Sequence, residues 1–184
     1  MNEIPNGRLS LPPNETVVVV PMDGPPAGEM VQLVVDLQRE GIRASLVDAI
    51  GLPESAYDRA RSQYRAEPLL AAARDIDGRR MLAVIARDMY AEGSDFAFGI
   101  GESAGRTAVI SLFRLRADPD YALLHARVLK EAVHQLGRTL GLEPCENRLC
   151  VMHLSNSLAD LDRKTSRLCE ACLLQASRHG RTGR

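Results

Sequence analysis

All four cysteines of this 184-residue chain fall between Cys145 and Cys172, as two close pairs, Cys145 with Cys150 and Cys169 with Cys172. No other feature constrains the fold as much. Two close pairs separated by a moderate insert fit a tetrahedral zinc shell: each tight turn orients two sulfurs, and the second pair closes the tetrahedron. The gap between Cys145 and Cys150 is wider than in common zinc ribbons. The bland alternative, four free buried thiols, ranks below zinc because scattered core cysteines rarely pair in this way. A redox reading of Cys169 and Cys172 lacks the βαβ context of a thioredoxin-like motif and leaves the first pair without a role.

Charge is nearly balanced, 23 Lys and Arg against 24 Asp and Glu, for a net charge of −1. No basic face is implied, so nucleic acid is not an expected partner. No apolar run is long enough to span a bilayer, so no membrane role is expected. The first residues, MNEIPNGRLSLPPNET, have neither the charged start nor the apolar core of a signal peptide. The expected location is the cytoplasm, where paired cysteines serve as metal ligands more often than as disulfides.

Residues 1–16 read as a flexible arm with no core contribution, and 17–184 as a single domain. Val17–Val20 is a short β-branched run ended by strong turn chemistry, the mark of a strand buried on both faces. Gly28–Glu40 carries Met30, Val31, Val34, Val35 and Leu37 at helical spacing, with Gly41 as its cap. Ile42–Ile50 reads as a second strand, completing a βαβ unit. Tyr57–Arg65 reads as a loop, Pro68–Asp75 as a helix and Met81–Ala86 as a third strand. After a polar loop, Tyr90–Asp95, the run Phe96, Ala97, Phe98, Gly99, Ile100 reads as a short edge strand weakened by glycine, antiparallel to a strand at Thr107–Phe113. Asp118-Pro119 signals a long helix that stops near Gly141, and the basic tail Ser177–Arg184 is expected to fray. Strands alternating with helices predict an α/β fold on a mixed, mostly parallel sheet, with 145–172 as a small four-cysteine subdomain.

The text from Lys130 to Cys172 resembles the archaemetzincins, zinc peptidases of the metzincin type whose pattern runs HExxHxxGxxHCxxxxCxM, then a gap, then CxxC. Cys145, Cys150, Met152, Cys169 and Cys172 match that pattern. The resemblance is looser from Tyr57 to Leu115. It implies a metzincin-like domain with a long active-site helix, a C-terminal segment bound to zinc through the four cysteines, and Met152 in the Met-turn. It also implies that Phe96–Ile100 rims a peptide cleft and can take a substrate backbone by strand addition.

Set on this chain, the catalytic half of the pattern gives His134 at the first histidine and Gly141 at the glycine. Gln135 stands at the glutamate, Arg138 at the second histidine and Pro144 at the third. Guanidinium offers no lone pair and proline no donor. Gln135 cannot take a proton as a carboxylate does. Arg138 is expected to point where a dication would sit and to repel it, pairing with a carboxylate or an anionic group, with an arginine that reaches past the cleft to solvent as an equal alternative. His125 falls on the opposite helix face; His153 reads as a surface or outer-shell residue, and Glu131 and Glu143 as solvated charges flanking the cleft. The favoured reading is a non-catalytic homologue with one structural zinc, no catalytic zinc, and a cleft for a peptide or protein terminus. Two rivals stand beside it. One is an active zinc peptidase or aminopeptidase using His134 with unidentified ligands. The other is a purely structural or interaction protein with a closed cleft.

Overall fold

The computed structural model describes residues 7–182, with side chains as far as 178. The first apolar run forms β1 (Val17–Met22), buried along nearly its whole length. Helix α1 (Ala27–Arg39) follows and buries Met30, Leu33 and Leu37 at helical spacing. It closes where Gly41 takes a φ of 85° and the Ile42 amide donates to the Leu37 carbonyl at 2.9 Å; this left-handed position costs glycine least. β2 (Ala44–Leu46) then pairs parallel with β1, Val17 opposite Ala44. The predicted strand–helix–strand unit is present, with β2 shorter than the span 42–50. Beyond it, Ile50 rejoins β1 as a single bridge to Met22.

The chain continues through β3 (Tyr57–Asp58), β4 (Gln63–Arg65), α2 (Ala66–Arg74), β5 (Arg80–Ile85), β6 (Met89–Tyr90), β7 (Gly99–Gly101) and β8 (Thr107–Ser111). The main sheet has the order β2-β1-β5-β8-β7, parallel except for β7, which runs antiparallel to β8 at one edge. This is the mixed sheet that the strand–helix alternation predicts. Side chains along β5 alternate between two cores. Leu82 and Val84 pack with Met30, Leu33 and Leu37 of α1, whereas Met81, Ala83 and Ile85 pack with Leu69, Leu70 and Ala73 of α2. A strand buried on both faces has no polar face to show, which is why β5 reads as a continuous apolar run.

Helix α3 (Tyr121–Thr139) lies on the α1 side of the sheet, burying Leu124, Val128, Ala132, Val133 and Leu136. Its cap is Asp120, which accepts from the Leu123 amide at 3.1 Å. The sequence signal at Asp118 marks something else, an ion pair of 2.8 Å with Arg127. Arg127 is itself buried and grips both carboxylate oxygens of Asp162 at 2.7 and 2.6 Å. That grip ties α3 to a short helix, α4 (Leu158–Arg163), and so sets the loop between them. Helix α5 (Glu170–Thr182) closes the described chain and keeps 177–182 helical where fraying is expected. Residues 183–184 lie outside the description.

Three expectations need correction. The stretch Tyr57–Arg65 and the start of Tyr90–Asp95 are not loops: β3, β4 and β6 form a small second sheet. Distant partners hold it. The Tyr90 hydroxyl donates to Asp58 at 2.8 Å, Arg61 lies 4.0 Å over the Tyr90 ring, and the Tyr57 and Tyr64 rings sit 5.0 Å apart. The edge strand is Gly99–Gly101 rather than Phe96–Ile100, because the Ala97 amide turns away to the Met89 carbonyl at 2.7 Å. The arm does add to the core, since Leu9 is buried there and the Leu168 amide donates to the Gly7 carbonyl at 2.7 Å; residues 1–6 lie outside the description.

Candidate functional site

The four cysteine Sγ atoms lie within 4.8 Å of one another, with Cys145 and Cys169 at 3.7 Å. A tetrahedral zinc with Zn–S bonds of about 2.3 Å would set sulfurs roughly 3.8 Å apart, so the cluster fits that ion. A turn between Asn147 and Cys150 presents the first pair, and the start of α5 presents the second. Burial, then the neighbouring Cys150, pushes the Cys172 thiol far above its ordinary range, and burial raises Cys150 as well. Thiols that resist ionisation in this way would become thiolates only with a cation among them. Among the described residues no other group of three or more His, Cys, Asp or Glu side chains is placed to hold a metal.

A second feature is a cleft of about 370 Å³ between the β7 edge and α3, lined in part by Phe98, Gly99, Glu131, His134, Gln135 and Asn156. Gly99 and Gly101 make this junction possible. A Cβ on Gly99 would stand 2.8 Å from Glu131 Oε1, and one on Gly101 would stand 2.6 Å from the Gln135 carbonyl. The glycines that weaken the strand are therefore what lets it meet the helix. His134 is only 4% exposed, and its Nδ1 donates to the Val151 carbonyl at 2.8 Å, which leaves the lone pair on Nε2. Burial pushes its pKa below the ordinary imidazole value, against a smaller opposing pull from Glu131. Gln135 donates to Glu131 Oε1 at 2.6 Å.

The other sequence-predicted residues fall around this cleft rather than in it. Arg138 is not among the residues that line the cleft. It donates to the Leu142 carbonyl, just beyond α3, at 2.7 Å and pairs with Glu143 at 3.0 Å. Pro144 borders the surface depression beside Cys145 and Cys169. Met152 is fully buried and packs against α3 at Gly137. His153 donates from Nδ1 to the Cys145 carbonyl at 2.8 Å. His125 lies between α1 and α3, its ring 4.1 Å from Tyr121. Glu143 is exposed as expected, but Glu131 is only 3% exposed and is not a solvated charge.

Sequence reasoning passes over Lys164. It is 2% exposed, donates to the His153 carbonyl at 3.0 Å, and acts electrostatically on both Glu131 and His134. Burial lowers its pKa, with Glu131 opposing. Its neighbours Asp162, Arg163 and Thr165 are polar, so nothing in the local text sets a buried lysine apart from a solvated one.

The sequence profile of Peptidase family M54 matches residues 28–178. The chain belongs to this family, the archaemetzincins. It is 46% identical over 123 residues to the archaemetzincin of Methanopyrus kandleri, covering 66% of this chain and 70% of that one. It is 38% identical over 172 residues to that of Pyrococcus abyssi, covering 85% and 92%. The crystal structure of the M. kandleri archaemetzincin superposes with a TM-score of 0.81 at 34% identity, over 92% of this chain and 98% of that one. The Archaeoglobus fulgidus archaemetzincin, crystallised with malonate, gives 0.77 at 32% identity, over 87% and 99%. The α/β fold with its mixed sheet is thus the archaemetzincin fold, and the four cysteines lie where this family's pattern carries them.

The buried imidazole of His134 has a consequence for stability. Below about pH 6.5 the unfolded chain takes up a proton that the folded imidazole resists, so the unfolded state binds more protons and stability falls as pH drops. Urea denaturation from about pH 7 to pH 5 is expected to show this decline. His134→Gln, which carries no titrating ring, is expected to flatten it relative to the parent chain; parallel curves would show that the imidazole does not contribute.

Proposed function

We propose that this archaemetzincin is non-catalytic. In this reading it holds one zinc, for structure, on Cys145, Cys150, Cys169 and Cys172, and uses the cleft beside β7 to hold a peptide or protein terminus. The observation that carries the reading is the replacement set: Gln135, Arg138 and Pro144 stand where the family pattern has its glutamate and two of its histidines. The geometry supports it. Gln135 spends its amide on Glu131, Arg138 is committed to the end of α3, and Pro144 borders the cysteine side of the molecule. One histidine without partners is a poor zinc site, since catalytic zinc needs three protein ligands.

The remaining parts of the cleft suit binding. β7 is an edge strand, and an extended peptide can add to such an edge through main-chain hydrogen bonds. A cytoplasmic location without nucleic-acid or membrane partners belongs to the same proposal. No helix among the described residues is long and apolar enough to cross a membrane.

The rival, an active peptidase, draws on His134, which keeps a lone pair at the cleft, and on a relative from Methanocorpusculum labreanum described as a zinc-dependent peptidase. Elemental analysis separates the two. Protein purified without added metal, and again after zinc soaking and desalting, is expected to hold one zinc per chain. A second tightly held zinc would overturn the non-catalytic reading.

A further inference from the structure

We infer that the cleft recognises the α-ammonium group of a peptide N-terminus, with the Glu131 carboxylate as its counter-ion and the His134 Nε2 lone pair as a second acceptor. The inference rests on the reading that no metal dication sits in the cleft, and it commits to which end of a chain enters.

The charge of the wall points to a cation. Among the described residues the cleft lining includes Glu131 and no lysine or arginine; Asp95 borders it too, but its side chain is fully exposed and pairs with Arg61 at 3.7 Å. Arg138, the nearest candidate cation by sequence, is turned to Leu142 and Glu143. The Lys164 ammonium is committed to the His153 carbonyl and is not part of the lining. A metal ion in this place would favour an anionic ligand group. Without one, a wall with a buried carboxylate and a neutral imidazole favours a cation.

Burial points the same way. A carboxylate only 3% exposed needs partners. Glu131 takes a hydrogen bond from a neutral amide, Gln135, and Lys164 acts on it only at longer range. A ligand ammonium would supply the charge-assisted bonds that the protein leaves unmade, and His134 Nε2 can accept another.

The position of Glu131 agrees with this. Glu131 Oε1 lies against Gly99 in β7, so a peptide added along that edge comes alongside the carboxylate. A volume of about 370 Å³ is at the small end of ligand pockets, which suits a chain end rather than a long segment running through. Among the free ends of a peptide, only the N-terminus carries the required positive charge.

The test uses the full chain, with its zinc content measured first, and one pool of short random-sequence peptides in three forms: unmodified, N-acetylated and C-amidated. Binding is read by calorimetry. The expected result is one zinc per chain, binding of the unmodified and C-amidated pools, and binding about tenfold or more weaker for the N-acetylated pool. Glu131→Gln is expected to erase the difference between free and acetylated peptides. The comparison of pools on the parent chain stands even if that variant does not fold. With one zinc present, equal binding of acetylated and free peptides, weakening by C-amidation instead, or no binding of any pool would each overturn this inference and leave the single-zinc, non-catalytic assignment in place. Two zinc ions per chain would overturn that assignment, and this inference with it.

Discussion

Removing the metal from the four-cysteine site, or replacing Cys172 with serine, is expected to unfold 145–173 and destabilise the whole domain. Structural zinc on thiolates is worth roughly 10–16 kcal/mol in apparent terms, while a domain of ordinary stability has only about 5–15 kcal/mol in all. Apart from α4, which Arg127 and Asp162 tie to α3, the segment has little regular structure of its own without the ion. Its shape comes from single backbone bonds, such as Cys145 to Met152 at 3.0 Å and Val151 to Arg167 at 2.7 Å. Yet Cys150, Val151, Met152, Leu168 and Cys172 all pack into the core shared with α1 and α3. Damage therefore has a path outward. The Val151 carbonyl fixes His134, and the Leu168 amide holds Gly7. Hydrogen exchange before and after chelation gives the readout. Protection is expected to vanish first at 145–153 and 165–173, while β1, β5 and β8 keep theirs longest. Unchanged exchange in this segment after complete removal of zinc would refute a structural role.

What was legible in the sequence is what depends on near neighbours. β1, β5 and β8 are continuous apolar runs because both faces of the sheet are covered, and α1 and α3 show their period because one stripe of each is buried. The cysteine spacing is legible because two close pairs are what a tetrahedral metal shell asks for, and the four sulfurs do converge. The small sheet of β3, β4 and β6 is not, because Asp58, Arg61 and Tyr90 look like loop residues until distant parts of the chain meet. In the cleft the failures share a cause. Glu131 and Lys164 are charged residues that the fold buries, Glu131 against Gly99 of β7 and Lys164 at the His153 carbonyl, whereas the bonds from Gln135 to Glu131 and from Arg138 to Leu142 span a single helical turn. Identity fixes what such groups can do, and only packing decides where they point.

The parent chain is expected to show no zinc-dependent hydrolysis of peptides or amino-acid amide reporters. Loss of a general base alone costs roughly 10²–10⁴ in rate, and loss of the metal removes both the Lewis acid and the activated water that a zinc peptidase relies on. Restoring the residues of the family pattern one by one and together would show what this fold tolerates at those positions. Gln135→Glu alone would place a second carboxylate against Glu131, where the amide now donates at 2.6 Å. Two such groups at that distance repel, so one must take up a proton or move away. The single variant is therefore expected to be less stable than the parent and still inactive. Arg138→His would free the Leu142 carbonyl, which loses its 2.7 Å partner, and Pro144→His must bring its ring from the cysteine side toward the cleft. Only the triple variant supplies three nitrogen ligands together with a carboxylate, and a bound dication would then relieve the repulsion between Glu131 and the new glutamate. The expected outcome is a second zinc in the triple variant and in none of the single ones, with any recovered hydrolysis abolished by chelation and restored by zinc. The same chelator-sensitive, zinc-restored activity in the parent chain would show that His134 recruits ligands beyond the family's pattern, and the protein would then be an enzyme.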